Sequence, residues 1–564
     1  MNNDENIIII GGVAAGAAAA TRLRRLNEKA NITIYEKSTY VSFANCGMPY
    51  YIGGEITNRQ RILLNTPEFF KERFNIDVIV NHEVVNIDKN EKTITVNDLT
   101  KRGLRKKDIT VPYDKLLIAT GAKHIVPDIE GVDATNIFPL KQISHMDKLK
   151  EHIEIWRPEE GIIIGAGFIG IELAEQLKRL GINITIIEKT DQILPHLDPE
   201  IAAIVEDHLV SNGIKVIKND RAQTIIKEGE EERAKKIILE SGKEIDSDLI
   251  LLCIGVRPDV ALAVDAGIEL GETGAILVNE KMHTNVPDIL AAGDVVESTH
   301  KVTNAKVWIP LAGPASFQGR VAGTVLAGKD AKFAGVLGSA IVRINKLTVA
   351  TTGLTERAAR KAKLDYVVSY SHSFNHANYY PGATMQHIKL VIEKKTERLL
   401  GAQIAGGDGV DKSIDIIAAA INANQSVDDL VDMDLAYAPP FSSVRSPVQM
   451  AGMVAQNRMN NIDSCINADE VIDKDYTVID VRTSAEHDKF KIFEGSELIP
   501  IDSLRDNLAK VKKTGKVALL CQAGLRSYLA YRILTQNGYK NVKNINGGYL
   551  MSKHILAVKS DGKK

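Results

Sequence analysis

The sequence predicts an α/β protein with two Rossmann-like dinucleotide-binding domains, an α+β domain after them, and a C-terminal α/β domain. Three observations predict it. A buried strand, a glycine turn, a helix and a second strand ending in an acid occur twice. Residues 331–455 mix strand and helix patterns without a further glycine turn of that kind. A new strand–helix alternation then begins at Tyr476-Thr-Val-Ile-Asp480.

Composition narrows the partners. The 564 residues carry 70 Lys and Arg against 72 Asp and Glu, a formal net charge of −2. No global basic field exists to hold nucleic acid or an anionic membrane. Four cysteines exclude a disulfide scaffold and fit a reducing compartment. The opening Met1-Asn-Asn-Asp-Glu-Asn6 lacks the positive start of an export signal, so a cytoplasmic location is expected. The apolar run from Ile7 to Ala20 is too short to span a bilayer and is broken by Gly11, Gly12 and Gly16. No metal site is expected.

The first module reads Ile7-Ile-Ile-Ile-Gly11-Gly-Val-Ala-Ala-Gly16, a helix, then Asn31-Ile-Thr-Ile-Tyr-Glu36. The second reads Gly161-Ile-Ile-Ile-Gly165-Ala-Gly-Phe-Ile-Gly170, a helix, then Asn183-Ile-Thr-Ile-Ile-Glu188. Glycines at such turns let backbone amides approach a pyrophosphate at a helix N-terminus, where the helix dipole favours negative charge. Glu36 and Glu188 are placed to accept hydrogen bonds from an adenosine ribose. A carboxylate at Glu188 repels a ribose 2′-phosphate and so favours a dinucleotide without one. Buried strands ending at Gly121 (in Ala-Thr-Gly121) and at Gly255 close the two modules. Asn97–Lys107 reads as a solvated hairpin tip between strands. Thr284-Asn-Val-Pro-Asp-Ile-Leu-Ala-Ala-Gly293-Asp294 is a strand ending where a carboxylate can bind a ribityl hydroxyl.

As a set, these marks over residues 5–455 resemble the flavoproteins with two dinucleotide-binding domains. The resemblance implies FAD on the first fingerprint and NAD(P)H on the second. It assigns FAD to Gly11, Gly12, Ala15, Gly16, Glu36, Lys37, Thr120, Gly121, Gly293 and Asp294. It assigns the nicotinamide dinucleotide to Gly165, Gly167, Gly170, Glu188 and Gly255. The implied layout is an FAD-binding domain over 1–153 and 281–330, an NAD(P)H-binding domain over 154–280, a dimerisation domain over 331–455, and a linker over 456–468.

Ser42-Phe-Ala-Asn-Cys46-Gly-Met-Pro-Tyr50 follows the first module and holds an unpaired cysteine. Without a Cys-x4-Cys pair there is no internal dithiol relay, so one thiolate must work through a mixed disulfide or a sulfenic acid. The segment resembles the single-cysteine branch: NADH oxidase, NADH peroxidase, and coenzyme A disulfide or persulfide reductase. Peroxidase-like members carry a histidine inside the first turn, where this chain has Ala14, and this favours a thiol-type substrate. Arg22 and Arg25 lie on one helix face and, with Arg61, Lys71 and Arg73, can hold coenzyme A phosphates. Ser42 and Asn45 join that assignment. Asn378-Tyr379-Tyr380-Pro381 and Ala436-Tyr437-Ala-Pro-Pro-Phe441-Ser-Ser-Val-Arg445 look like the coenzyme A disulfide reductase pattern. There, two tyrosines from the partner subunit reach the redox cysteine and an arginine helps bind coenzyme A. Carried over, these are Tyr379, Tyr437 and Arg445, with Tyr380 an equal candidate by spacing, and the enzyme is expected to be a homodimer.

Val478-Ile-Asp480-Val-Arg482 and Ala518-Leu-Leu-Cys521-Gln-Ala-Gly-Leu-Arg526-Ser527 resemble a rhodanese domain over 469–558. The loop from Cys521 through Arg526 suits sulfur, and related phosphatase loops are one residue longer. Backbone amides and a helix dipole would stabilise a thiolate or persulfide on Cys521, with Asp480 and Arg482 bracing the loop. Phe493-Glu-Gly-Ser-Glu-Leu498 replaces the usual Gly-His-Ile segment and is expected to change the local turn. Cys253 reads as core and Cys465 as incidental.

The resulting expectation is a fusion enzyme using FAD and NADH. Cys46 attacks the sulfur of a coenzyme A persulfide, a polysulfide or coenzyme A disulfide, and sulfide or a thiol leaves, the Cys46 thiolate being favoured by the flavin and a helix N-terminus. Cys521 carries sulfane sulfur. Coenzyme A disulfide reduction alone, water-forming NADH oxidation and a non-catalytic redox sensor are the alternatives.

Overall fold

The computed structural model describes residues 5–100 and 108–561, which fall into two compact units. One comprises the chain up to Ile187 together with Asp220–Gly338. The other comprises Glu188–Asn219 and the chain from Ser339 onward.

The first unit contains the two repeated modules. In the first, the strand Asn6–Ile10 pairs in parallel with Asn31–Glu36 on one side and Lys115–Ile118 on the other. The sheet is extended by Asp77–Val80 and Ile289–Ala291, also parallel. Ile7, Ile9, Ile32 and Ile34 are buried at its centre. An all-parallel sheet is covered on both faces, and this explains the uninterrupted isoleucine run. The helix Ala14–Leu26 packs on the helix Ala312–Leu326 so closely that Gly319 and Gly323 meet the backbone of Ala15 and Ala19.

The second module repeats the plan: Glu160–Ile164 lies between Asn183–Ile187 and Leu249–Leu252, all parallel, with Ile137–Pro139 beyond. Each module carries a three-stranded antiparallel sheet. In the first it is His82–Asp88, Thr93–Asp98 and Ile109–Pro112; in the second, Ala222–Glu228, Arg233–Leu239 and Glu244–Asp246. The strands flanking the expected hairpin tip are thus paired, while residues 101–107 of that tip lie outside the described residues.

The second unit holds a five-stranded antiparallel sheet in the order Ala340–Ile344, Leu347–Gly353, Leu399–Gly406, Met385–Glu393, Tyr366–Phe374. Beneath it the ammonium of Lys389, fully buried, sits among Asp198, Glu200 and Glu356 at 2.9, 2.5 and 2.8 Å. These three carboxylates have the spacing of a cation site, and the lysine fills it.

A parallel sheet follows, ordered Cys465–Ile466, Val542–Ile545, Val517–Leu520, Thr477–Asp480, Glu497–Leu498. Val517, Leu519 and Cys521 face one core, and Ala518 and Leu520 face the other. The polar stretch 456–468, expected as a linker, is structured instead. The helix Pro447–Met459 runs into it, and Cys465–Ile466 is an edge strand of the last sheet. Its polar Asp463 accepts from Asn544 Nδ2, 81 residues on, at 2.9 Å and from the Cys465 thiol at 3.3 Å.

Candidate active sites

Gly11 and Gly165 start both glycine turns with φ of +96° and +103°, where a side chain is strained. A Cβ at either would also strike a carbonyl of the neighbouring strand end, Ala119 or Cys253. Gly16 and Gly170 bring each helix down onto the turn, leaving no room for a side chain over the carbonyls of Gly11 and Gly165. By contrast, a Cβ on Gly167 or Gly121 meets nothing within 4 Å, so backbone and open space lie together at these turns.

Around the first turn, the buried Glu36 carboxylate accepts from Gly12 N at 2.9 Å and from Ser38 N at 2.8 Å. Lys37 pairs with Asp259 at 3.2 Å, and Thr120 Oγ1 donates to Asp259 O at 2.8 Å. Gly293 N donates to Gln318 Oε1 at 2.9 Å, and burial pushes the neighbouring Asp294 carboxyl up. A buried carboxyl of this kind is a strong acceptor for a ligand hydroxyl. Together with the open glycine turn, these residues fit FAD. Glu188, which follows the strand Asn183–Ile187, accepts from Thr190 N at 3.0 Å and Thr190 Oγ1 at 2.9 Å.

Cys46 lies in the single helical turn Asn45–Gly47 and is exposed. Its thiol is pushed up, first by desolvation and then by the charge of Glu172, with a smaller push from Asp294. Its own backbone hydrogen bond and Lys141 pull the other way. The helix that follows, Met48–Ile52, is a turn and a half. Glu172 and Lys141 were not singled out from the sequence. Glu172, two residues past Gly170 at the start of a helix, was the legible one; Tyr50 donates to it at 3.0 Å.

Of the expected coenzyme A residues, Arg22 donates to Thr324 Oγ1 at 3.0 Å and Arg25 is exposed. Burial and then the like charges of Arg320 and Arg25 depress Arg22, so a third cation joins the pair. Arg24 between them is a structural anchor, donating to the carbonyls of Phe74, Asn75, Asn27 and Glu28. Lys71 pairs with Asp77 at 2.8 Å, and Arg73 stacks on Phe69. Ser42 is buried and accepts from Asn65, next to the Asn45 turn.

In the second unit the phenols of Tyr379 and Tyr437 meet at 3.2 Å. Tyr380 instead turns edge-on to His376. The hydrogen bond with Tyr379 pushes the Tyr437 phenol up. Arg445 is exposed, as are Phe441 and Val444 in the same stretch and Tyr379 elsewhere in the unit (74, 75 and 74%).

Cys521 ends the strand Val517–Leu520 and is buried. Gly524 N donates to its sulfur at 3.0 Å and Ser527 Oγ donates at 3.2 Å. The helix Leu525–Gln536 starts on this loop and points its dipole there. Arg526 makes a bidentate pair with Glu486, both contacts 2.7 Å, and the pair holds the Glu486 carboxyl down at about 2. Glu486 was missed, yet its signal was legible. Thr483-Ser-Ala-Glu486 is a capping box that fixes the short helix Ser484–Lys489. Asp480 and Arg482 form a buried pair, and His487 Nδ1 lies 3.0 Å from Asp480. The replacement segment turns at Gly495, φ +73°, buries Phe493, and still delivers Glu497–Leu498 to the sheet. Cys253 and Cys465 are both pushed up to about 12 by burial.

Fold and sites define a disulfide-reductase-type flavoenzyme carrying a sulfurtransferase-like domain. The chain belongs to the pyridine nucleotide-disulphide oxidoreductases: that family model matches residues 5–319, and the family's dimerisation-domain model matches 339–447. A rhodanese-like domain model matches 467–551. The family is dependent on FAD and NAD(P)H. The chain is 36% identical over 449 residues to the NAD(P)H coenzyme A polysulfide/persulfide reductase of Pyrococcus horikoshii, covering 79% of this chain and 97% of that one. It superposes on reduced CoADR-RHD of Bacillus anthracis with a TM-score of 0.94 at 41% identity, covering 98% of each. It superposes on an NAD-dependent persulfide reductase from A. fulgidus with a TM-score of 0.90 at 37% identity, covering 97% of this chain and 99% of that one. Among the described residues no helix is long and apolar enough to cross a membrane.

Proposed function

We propose that this enzyme is an NADH-using, FAD-dependent reductase of coenzyme A persulfide or polysulfide, with coenzyme A disulfide as a second substrate. Cys46 is its redox nucleophile and Cys521 its carrier of sulfane sulfur. One observation carries the reading: an unpaired cysteine beside a dinucleotide turn shares a chain with a second cysteine whose loop aims donors at sulfur. A sulfur-carrying domain has no evident task in simple disulfide reduction.

The named glycines, Glu36 and Asp294 hold FAD, and the turn at Gly165–Gly170 with Glu188 holds NADH. When bound, these cofactors supply the electron pair that reopens a mixed disulfide. The chain's residues do the rest. Cys46 Sγ attacks the coenzyme A sulfur of a persulfide, a Cys46–S–S–CoA bond forms, and hydrosulfide leaves with a proton from Tyr437. Tyr379 hydrogen-bonds the Tyr437 phenol at 3.2 Å. Arg22 and Arg25, joined by Arg320, take the coenzyme A phosphates, and Arg445 takes part from the partner subunit. The exposed apolar residues beside Tyr379 and Tyr437 support a homodimer in which each subunit completes the other's site. The charge balance and cysteine usage support a cytoplasmic enzyme.

The test compares NADH oxidation with coenzyme A persulfide, polysulfide, coenzyme A disulfide, peroxide and oxygen. Persulfide or polysulfide is expected to be fastest; faster turnover with oxygen or peroxide overturns the reading. Clearly tighter use of NADPH overturns the role given to Glu188.

A further inference from the structure

The floor of the Cys521 loop is not built by its own domain alone. Tyr549 N donates to Cys521 O at 2.8 Å and Leu550 N to Gln522 O at 3.1 Å. Gly548 lies so close beneath that a Cβ would strike Cys521 O and Gly524 N. This floor begins at Gly547, and Gly547 is held from the antiparallel sheet. His372, on the strand Tyr366–Phe374, places Nε2 2.9 Å from Gly547 O, and Tyr370 packs against Gly547. Asn546 Nδ2 reaches Val368 O on the same strand at 3.4 Å.

The imidazole that holds Gly547 is itself fixed. His387 is the cross-strand partner of His372, and their Nδ1 atoms lie 2.8 Å apart. A carbonyl only accepts, so His372 Nε2 carries a proton and its Nδ1 must accept from His387 Nδ1. Both rings are neutral in this arrangement. Burial keeps them so: His372 is lowered to about 3 and His387 to about 4, the like charge of Lys553 adding to the latter. His554, lowered to about 3, and Lys553 face them from the helix Gly548–Asp561, with Asp207 beside both.

We propose that His372 is a positioning residue for Cys521: by holding the Gly547 carbonyl it fixes the backbone floor of the sulfur loop, so that chemistry at Cys521 depends on the dimerisation sheet. This rests on the role of Cys521 given above. The loop's donors act on sulfur only while the backbone stays in register, and a shift of an ångström at such a site is costly.

The test uses the full-length holoenzyme carrying Cys46→Ser and follows iodoacetamide alkylation of Cys521, read by peptide mass, as a function of pH. His372→Ala is expected to slow alkylation at neutral pH about fivefold, the order expected for one lost hydrogen bond, and to move its pH profile upward. His372→Gln, whose amide can still donate to Gly547 O, is expected to restore most of it. An unchanged profile in His372→Ala overturns the proposal. With Cys46 intact, His372→Ala is expected to keep the parental rate of NADH oxidation with coenzyme A disulfide, and an equal loss there overturns it too. If His372→Ala fails to fold, His387→Leu, which removes only the tautomer-fixing partner, is expected to shift the profile in the same direction, and no shift overturns it. Alkylation reads the thiol itself. Failure of the carrier role, seen as unaltered persulfide turnover in Cys521→Ser, is therefore distinguishable from failure of this proposal.

Discussion

The two cysteines proposed to work on sulfur are built in opposite ways. Cys521 is buried at the end of a strand, with a backbone amide and a hydroxyl aimed at its sulfur and a helix starting beneath it. Cys46 is exposed on a single turn, and desolvation first, then the charge of Glu172 and more weakly that of Asp294, push its thiol up. A carrier must hold a sulfur anion without help from a cofactor, so its donors are part of the backbone. A redox cysteine works against a cofactor, and its surroundings need only leave it open and ready. Under the proposed roles, rigid architecture surrounds the storage cysteine and open space the exchange cysteine.

Breaking the exchange site is expected to have the largest effect. Cys46→Ser should lower NADH-dependent turnover of every sulfur substrate on the order of 10³-fold or more, because a covalent route is lost; steady-state NADH oxidation checks this. Next, Tyr437→Phe should slow turnover about a hundredfold by removing a proton donor, whereas Tyr380→Phe stays near the parental rate. Equal effects of the two would undo the pairing of Tyr379 with Tyr437. On the storage side, Cys521→Ser should lower persulfide turnover roughly tenfold or more, as expected when a tethered donor is lost, and spare coenzyme A disulfide.

The smallest effect sharpens the storage loop alone. Arg526 holds the Glu486 carboxyl at about 2, below its usual 4.5, so this pair's stabilisation is complete above that usual value and drains as the pH falls toward 2. Thermal unfolding of Glu486→Gln should be less stable at neutral pH and should lose less on acidification over that window. A parallel pH dependence in parent and variant would remove the pair from the account.

The repeated modules were readable because their information is local. Strand, turn and helix are adjacent in the chain, and Gly11 and Gly165 are dictated by a backbone angle. Cys521 and Arg526 were readable for the same reason, lying in one short loop. The arginines were harder. Spacing put Arg22 and Arg25 on one helix face, but it could not say that Arg24 would turn inward to cap four carbonyls, or that Arg320 would arrive from a distant helix. The polar stretch 456–468 misled because composition cannot tell a solvated side chain from one that bonds its own edge strand.

The sequence by itself determined the two nucleotide modules, the unpaired Cys46 and the sulfur loop, since each is set by residues within a few positions of one another. Only the tertiary structure brought Tyr379, not Tyr380, against Tyr437, gave Arg526 its partner Glu486, and joined His372 to Gly547 across 175 residues. The physical reason is that a hydrogen bond is decided by distance and direction in space, and two residues far apart in the chain acquire these only when the sheets that carry them pack.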